Sequence, residues 1–311
     1  MKENTKGKII KGVGGLYTVR LLTDGVLSAG TLVKCRARGS FRHEHITPLA
    51  GDVVTLCEGK NESELAIESI SERKNSLIRP PMANLDYLFI TMAAASPAPI
   101  LTTVDKLIAI AEFNGIEPII VITKCELDPD YSEELQKKYL QCGFICFSLS
   151  AKDNVGIEPI DRFISENMNG KTAAFAGASG IGKSTLMNRL FPSLCLSTSE
   201  ISRKIERGRH TTREVELFPL SDTLDCGYVA DTPGFSMLDF ERFDFFDKEA
   251  LPSTFREFSH YIGECRYTKC SHTKEDGCAI LSAVKSGDIP KTRHESYLEL
   301  FETLKAKKKW N

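Results

Sequence analysis

Gly177-Ala178-Ser179-Gly180-Ile181-Gly182-Lys183-Ser184 is the stretch that decides the fold of this 311-residue chain. It fits G-x-x-x-x-G-K-[ST], the phosphate-binding P-loop. The apolar run 172–176 before it predicts a buried strand, and residues 185–190 after it predict the first turns of a helix. In that setting the backbone N–H groups of the loop point at one place and favour an anion there. The alternative is a chance match, since Gly and Ser are common in loops.

The P-loop pattern assigns a role to each part of the stretch. The Lys183 side chain is expected to reach the β- and γ-phosphates, and the Ser184 hydroxyl to hold Mg²⁺. The residues expected to contact the nucleotide here are Gly177, Ala178, Ser179, Gly180, Ile181, Gly182, Lys183, Ser184 and Thr185.

Composition places the chain among ordinary soluble globular proteins of two or three domains, with 41% hydrophobic and 26% charged residues. The net charge of −2 means that nucleic-acid binding would need local basic patches. No apolar run is long enough for a membrane span, and residues 1–6 lack the apolar core of a signal peptide. We therefore expect a cytoplasmic protein without membrane contact, whose ten cysteines are thiols or metal ligands.

Residues 1–73 are predicted to form a small all-β domain. Residues 7–21 predict two short strands around a glycine turn, and the stretches 32–39, 51–56 and 64–70 predict one strand each, which gives five strands. Such a set suits an OB-fold barrel that binds RNA. Lys34, Arg36, Arg38 and Arg42, with Phe41 among them, are interpreted as a basic loop that follows an RNA backbone. A solvated strand face on an SH3-like or other small barrel is the alternative.

Residues 74–240 are predicted to form an α/β domain, entered through Arg79-Pro80-Pro81. Strands at 85–93, 118–122 and 144–149 alternate with helices at 101–113, 132–141 and 156–168. The second helix is expected to begin with the capping pattern Ser132-Glu133-Glu134-Leu135. This alternation predicts a mostly parallel sheet with ligands at the carboxyl ends of its strands.

Three loops at strand ends are similar to the N-K-x-D, S-A-K and D-x-x-G motifs of GTPases. They are Thr123-Lys124-Cys125-Glu126, Ser150-Ala151-Lys152 and Asp231-Thr232-Pro233-Gly234. The carboxylate of Glu126 can accept hydrogen bonds from the N1–H and 2-amino groups of guanine, a donor pair that adenine lacks. Asp231 is expected at the Mg²⁺ and the Gly234 N–H at the γ-phosphate. Thr and Glu stand where Asn and Asp are usual, so guanine selectivity is expected to be looser.

The guanine-reading motifs precede the P-loop, whereas ordinary GTPases have the P-loop first. Because all these loops belong to one edge of one sheet, a circularly permuted chain can build the same pocket. Residues 207–213 look like switch I, with Thr212, or failing that Thr211, as the Mg²⁺ ligand. Phe235 stands where a water-orienting Gln is often found, so slow intrinsic turnover is expected, and His210 is the candidate group to position the water. An exposed histidine with no role is the alternative.

Residues 241–311 carry a metal-binding pattern, C-x4-C-x-H-x5-C. Its members are Cys265, Cys270, His272 and Cys278, a set typical of one structural Zn²⁺. Helices are predicted at 253–262, 278–285 and 293–305, followed by the basic tail 305–310. Unrelated thiols are the alternative.

Together these residues resemble the ribosome small subunit-dependent GTPase A family (RsgA, or YjeQ/YloQ). The match runs from the barrel through the permuted motifs and Gly208-x-His210-Thr211-Thr212 to the Cys/His set. The resemblance implies an OB-fold domain, a permuted GTPase domain and a helical zinc domain. It implies slow GTP hydrolysis stimulated by the small ribosomal subunit, binding to its rRNA, and a role in late maturation of that subunit and release of assembly factors. We expect a monomer that uses GTP with Mg²⁺ and one Zn²⁺.

Two other functions fit parts of the sequence. One is an RNA-binding assembly placeholder in which the nucleotide is structural. The other is an ATP-dependent P-loop enzyme acting on a small molecule, which Glu126 disfavours because its carboxylate suits guanine.

Overall fold

The computed structural model describes residues 5–25, 27–43, 46–59, 65–192, 215–231 and 246–306, with backbone only for residues 42, 43 and 231. The chain divides into two compact units. The first unit comprises Met1–Tyr87, Asp161–Phe175 and Met187–Phe235, and the second comprises Leu88–Ile160, Ala176–Leu186 and Ser236–Asn311.

The strands of the described residues are β1 Thr5–Val13, β2 Leu16–Leu21, β3 Leu32–Ala37, β4 Val53–Glu58, β5 Leu65–Ile70, β6 Ser76–Leu77, β7 Met82–Ala83, β8 Tyr87–Ala93, β9 Glu117–Thr123, β10 Ile145–Ser148, β11 Thr172–Ala176, β12 Glu216–Pro219 and β13 Tyr228–Asp231. The α-helices of the same residues are α1 Ser40–His43, α2 Leu101–Phe113, α3 Pro129–Gln141, α4 Ile157–Asn167, α5 Lys183–Leu190, α6 Ala279–Ser286 and α7 Lys291–Ala306. None of them is long and apolar enough to cross a bilayer.

A five-stranded barrel forms the N-terminal part of the first unit. The strands close in the order β1-β2-β3-β5-β4-β1, and only β3 and β5 pair in parallel. Alternate residues point inward because successive side chains of a strand face opposite sides. Its buried core consists of Ile9, Tyr17, Val19, Leu21, Cys35, Phe41, Val54, Leu56 and Ile67. This confirms the predicted OB-like barrel.

The prediction that these basic residues of the barrel form a loop is wrong. Lys34 and Arg36 lie on β3, where they alternate with inward-facing residues and are exposed. Arg38 forms an ion pair with Glu68, with 2.9 Å between nitrogen and oxygen. Phe41 is only 6% exposed because its ring fills the barrel core, so it cannot stack on a base. The side chain of Arg42 lies outside the described part of the chain.

The first unit also contains three strands that extend from the barrel. β13 pairs in parallel with β11 and antiparallel with β12. β12 in turn pairs antiparallel with β1, where Lys11 lies opposite Glu216. Sequence reasoning missed β12, because its four residues follow a long polar stretch and show no clear alternation. In this unit the antiparallel strand β12 thus joins the parallel pair β11–β13 to the barrel.

Lys8 is buried inside the first unit, at 7% exposure. Its Nζ donates to Thr172 Oγ1 at 2.8 Å and lies 4.4 Å from the centroid of the Tyr228 ring. Burial lowers the pKa of this amine from 10.5 to about 8, against an opposing attraction from Asp86. The folded state therefore disfavours the charged amine, although the hydrogen bond and the aromatic face offset part of that cost.

In the second unit the strand order is β10-β9-β8, with β9 and β10 parallel. Helix α2 buries Val104, Leu107, Ile108 and Ala111, as its spacing predicts. Helix α3 begins at Pro129, three residues before the predicted start. Asp128 is its N-cap and accepts from the Tyr131 N–H at 3.1 Å, while Ser132 lies inside the helix. The predicted capping pattern is thus wrong, since Asp followed by Pro at the first helical position is the stronger start signal.

The C-terminal part of the second unit contains α6, α7 and short turns. The predicted helix at 253–262 is wrong, because the chain there forms two 3₁₀ turns, Leu251–Thr254 and Arg256–Phe258. Pro252 and the extended backbone of Phe255 prevent a continuous helix.

A buried ionic cluster joins α7 to α2 and to the second 3₁₀ turn. The Arg293 guanidinium donates at 2.6 Å to Asp105 Oδ1 and at 2.6 Å to Glu257 Oε1, and Arg293 is fully buried. Tyr139 Oη also donates to Asp105, at 3.1 Å. Burial alone would lower the pKa of Arg293, but the two carboxylates outweigh it and hold that pKa well above its ordinary value.

Removing Arg293 should leave two carboxylates buried without their cation. We predict that Arg293→Met lowers the free energy of unfolding by about 3–5 kcal/mol, measured by urea denaturation. Lys291→Met on the same helix is the matched control, because its pair with Glu295 is exposed and contributes less than about 1 kcal/mol. Equal effects of the two substitutions would contradict the prediction.

The lowered pKa of Lys8 should appear as a pH dependence of stability. Between pH 8 and 10.5 the unfolded amine binds a proton that the folded one does not, so stability rises with pH in this window. We predict that the free energy of unfolding of the native protein rises by up to about 3 kcal/mol over that range relative to that of Lys8→Met. Denaturant unfolding of both proteins at several pH values checks this, and parallel curves would refute it.

Candidate nucleotide site and metal centre

The P-loop stretch lies between β11 and α5, as predicted. Gly177, Gly180 and Gly182 all have positive φ, at 146°, 79° and 91°. A Cβ on Gly177 would overlap Thr91 and Ile181, so no other residue fits there without a shift. Residues 178–180, 184 and 185 are exposed, and Lys183 and Ser184 are the first residues of α5. The loop therefore presents backbone N–H groups and a helix N-terminus to solvent, as anion binding requires.

Two threonine hydroxyls of the second unit hold the loop from below. Thr91 Oγ1 donates to the carbonyl oxygen of Ala176 at 2.6 Å. Thr123 Oγ1 donates to the carbonyl oxygen of Ile181, with Met92 O at 3.1 Å as a second acceptor. Thr123 is 2% exposed. Its hydroxyl therefore fixes the T-K-x-E loop to the middle of the phosphate loop.

Lys124 makes a second connection between the same two loops. Its backbone is left-handed, with φ 55°, which turns the side chain away from the strand direction of β9. Nζ donates to the carbonyl oxygen of Gly180 at 2.8 Å and to that of Ser96. The aliphatic stem thus bridges the two loops, where it can lie against a flat ring.

Glu126 lines a cleft of about 310 Å³ together with Cys125, Ser132, Gln136, Ser148 and Ser150. Among the described residues, its Oε2 atom is buried and has no hydrogen-bond partner. Since buried polar atoms are nearly always hydrogen-bonded, this oxygen can accept a hydrogen bond from a donor in the cleft. Guanine offers two adjacent N–H donors, so the donor set fits the base that the sequence predicts.

The S-A-K loop closes into a tight turn beside this cleft. Ser150 and Val155 exchange two backbone hydrogen bonds, of 2.9 and 3.1 Å, and the Asp153 N–H donates to Ser150 Oγ. The Cys125 N–H donates to the carbonyl oxygen of Leu149, which links this turn to the T-K-x-E loop. Ala151 and Lys152 therefore stand in a rigid turn next to Glu126.

Several predicted residues lie outside the described part of the chain. These are His210, Thr211, Thr212 and Gly234. Asp231 is the last residue of β13, and only its backbone is described. Their predicted roles stay predictions.

Sequence reasoning missed three residues of the second unit that support the site. Thr91 anchors the phosphate loop, Ser96 accepts from Lys124, and Ser148 shares a 2.7 Å hydroxyl hydrogen bond with Ser132 in the base cleft. Each lies on or after a strand of the predicted sheet, but an isolated Ser or Thr carries no motif.

Cys265, Cys270, His272 and Cys278 converge, with all four ligand atoms within 4.8 Å of one another. Cys265 Sγ lies 3.8 Å from Cys278 Sγ, and His272 Nδ1 lies 3.5 Å from each. With usual zinc bond lengths, a tetrahedral site requires about 3.8 Å between sulfurs and about 3.6 Å between sulfur and nitrogen. The cluster thus fits a four-coordinate metal ion, and His272 would bind through Nδ1.

The loop between the ligands is held by backbone capping. Glu275 accepts from the N–H groups of Ser271, Thr273 and Lys274, at 2.8, 3.0 and 3.1 Å. These bonds, with that from the Ser271 hydroxyl, outweigh burial and lower the pKa of Glu275 to about 2. Tyr297 Oη on α7 donates to the Ser271 carbonyl at 2.7 Å. These hydrogen bonds hold the backbone of the loop that carries the metal ligands.

Two family models match this chain between residues 6 and 241. The RsgA GTPase family model matches residues 70–241, and the model of the RsgA N-terminal domain matches residues 6–65. Relatives named small ribosomal subunit biogenesis GTPase RsgA are similar along the whole length. That of Caldanaerobacter subterraneus subsp. tengcongensis is 38% identical over 99% of this chain and 98% of its own. The relative from Bacillus velezensis is 40% identical over 97% of this chain and 98% of its own.

Solved structures agree with this. The crystal structure of YjeQ from Thermotoga maritima superposes with a TM-score of 0.80 at 28% identity, over 98% of this chain and 100% of that one. The crystal structure of YloQ, a circularly permuted GTPase, superposes with a TM-score of 0.76 at 32% identity, over 100% of this chain and 98% of that one.

The Thr123 hydroxyl should be essential for holding the two loops together. Thr123→Val keeps the shape but leaves the buried Ile181 carbonyl without its donor, at a cost of about 1–3 kcal/mol. We predict a lower melting temperature, measured by circular dichroism. Thr55→Val on the barrel strand β4 is the control. An unchanged melting temperature of the Thr123 variant would show that the bond contributes nothing.

Proposed function

Because the chain belongs to the RsgA GTPase family, and is therefore a GTP hydrolase, we propose that it acts in maturation of the small ribosomal subunit. It binds that subunit and its rRNA, hydrolyses GTP slowly, and is stimulated by the subunit. Hydrolysis accompanies late maturation and release of assembly factors. The similarity to relatives named for small-subunit biogenesis, which extends over nearly the whole chain, carries this proposal.

Three domains, residues 1–73, 74–240 and 241–311, would each have a separate role in this function. The barrel exposes Lys34 and Arg36 on β3, which can contact RNA phosphates through their side chains. The C-terminal domain places Arg266 and Lys269 around the metal cluster. The protein would work as a cytoplasmic monomer.

In the nucleotide site, the backbone of residues 177–185 would hold the phosphates, with the Lys183 ammonium at the β- and γ-phosphates. Ser184, Thr212 and Asp231 would hold Mg²⁺, which neutralises charge on the phosphate oxygens when bound. His210 would orient the attacking water, and the Gly234 N–H would bond to the γ-phosphate. Phe235 stands after Gly234, where a water-orienting Gln is often found, so turnover without a partner would be slow.

The base would lie in the cleft beside Glu126. The Glu126 carboxylate accepts from the N1–H and 2-amino groups, the Lys124 stem covers one face of the ring, and the Ala151 N–H donates to the guanine carbonyl. Thr123, Cys125, Ser150 and Lys152 complete the two loops. The unsatisfied Oε2 atom supports this arrangement, because a buried carboxylate oxygen gains most from a donor pair.

We propose that the metal of the Cys265, Cys270, His272 and Cys278 cluster is one structural Zn²⁺. Three thiolates and one imidazole suit zinc, and four protein ligands leave no open position for catalysis. Burial lowers the pKa of His272, which favours the neutral imidazole that a metal needs.

Stimulation by the ribosomal subunit tests the proposed function directly. We predict that purified small subunits raise steady-state GTP turnover at least about tenfold, a modest factor beside that of an arginine finger. Large subunits serve as the control. Turnover that is equal with and without small subunits would reject the proposal and favour a binding module in which the nucleotide is structural.

Glu126→Gln tests the base cleft. An amide cannot accept from both guanine donors without facing one of them with its own N–H₂, so we predict at least about a tenfold loss of GDP affinity. The same amide can donate to the 2-carbonyl of xanthine, so XDP should bind better than GDP. Isothermal titration measures both. Glu133→Gln lines the same cleft but pairs with Lys137, and it should leave the preference for GDP intact.

A further inference from the structure

The barrel places a cation at the start of β11, the strand that leads to the phosphate loop. Lys8 on β1 donates to Thr172 Oγ1, and Thr172 is the first residue of β11. Asp86 fixes the same residue from the other side, since the Thr172 N–H donates to Asp86 Oδ2 at 2.9 Å and the Asp86 N–H donates to the Thr172 carbonyl at 2.8 Å. The start of β11 is therefore held by side chains, and Gly177 follows its end.

The barrel holds the neighbouring strand in the same way. Arg20 on β2 lies close to the start of β13, with Nη1 3.0 Å from Cys226 Sγ and 3.4 Å from Tyr228 Oη. Its other nitrogen donates to the carbonyl oxygens of Asp222 and Thr223, at 2.8 and 3.2 Å. The Lys8 ammonium also stands over the Tyr228 ring, so the two cations share this tyrosine. β13 then runs to Asp231.

A third connection runs through β12. The strand pairs with β1, and Lys11 forms a 2.7 Å ion pair with Glu216. Both side chains are about one third exposed, so this pair is screened and weaker than the buried contacts. Lys8 and Arg20, at 7% and 6% exposure, make buried contacts between the barrel and these strands.

We propose that Lys8 and Arg20 are positioning residues for the nucleotide site, through which the state of the site is transmitted to the barrel. They touch no part of the site. They fix the first residues of β11 and β13, whose last residues lead to the phosphate loop and to Asp231. Because a packed strand moves as a unit, a shift at its end on nucleotide binding changes the hydrogen bonds at its start. The proposal deepens the function above by joining GTP state to an RNA-facing barrel, and it needs only guanine-nucleotide binding for its test.

Hydrogen exchange measured by mass spectrometry on the full-length protein tests this coupling. Exchange is compared without nucleotide, with GDP and Mg²⁺, and with a non-hydrolysable GTP analogue. We expect nucleotide to slow exchange of the β1 and β2 amides by a factor at least about three times that for the α7 amides. The α7 amides serve as an internal reference for global stabilisation. In Lys8→Met the response of β1 and β2 disappears, while that of residues 172–186 persists. Met preserves the length and removes a buried charge, so the variant should fold.

Lys6→Met is the matched control, because Lys6 lies on the same strand but is exposed, and it should behave as the native protein does. Arg20→Gln is the second variant and should reduce the response in the same direction. By reciprocity of linkage, Lys8→Met should also change GDP affinity at least about threefold. A purely structural role would shift the melting temperature only. The proposal would be overturned if nucleotide slowed exchange equally in the barrel and in α7, or if the slowing in the barrel survived in Lys8→Met. The test uses no ribosomes, so its failure is distinct from a lack of subunit stimulation.

Discussion

The hydrogen bonds from the T-K-x-E loop to the phosphate loop are the constraint on which the nucleotide site depends. Thr123 reaches the Ile181 carbonyl, and Lys124 reaches the Gly180 carbonyl. The first loop would read the base, and the second would hold the phosphates. Because both loops belong to one compact unit, the distance between these two subsites is fixed by side chains rather than by chain order. This is why the order of motifs can be permuted without loss of the pocket.

The two ends of the chain are stabilised by different physical means. The barrel has an apolar core closed by backbone pairing. The C-terminal part has short 3₁₀ turns and two helices, so it relies on the Arg293 cluster and on four converging metal ligands. The barrel would therefore tolerate loss of the metal far better than the C-terminal part.

The sequence predicted the parts of this structure that have a strict local requirement. The glycines of the P-loop are needed at positive φ, the metal ligands have a fixed chemistry, and α2 shows helical spacing along its whole length. Two errors, the start of α3 and the helix at 253–262, arose because local proline signals were overlooked. The others arose where a long-range contact decides the outcome. Phe41 has the composition of a stacking aromatic, but the barrel core takes it. The four residues of β12 become a strand only because β13 and β1 flank them. Lys8 gives no signal at all, since its burial depends on Thr172, far along the chain.

The Arg293 cluster has a consequence for how the protein is made. Asp105 emerges from the ribosome 188 residues before the arginine that neutralises it. Until α7 has been synthesised, α2 carries a carboxylate that cannot be buried at low cost, so the second unit stays incomplete during translation. A chain truncated before α7 would lack this cation and would be exposed to proteases. The buried pair thus ties completion of the second unit to synthesis of α7.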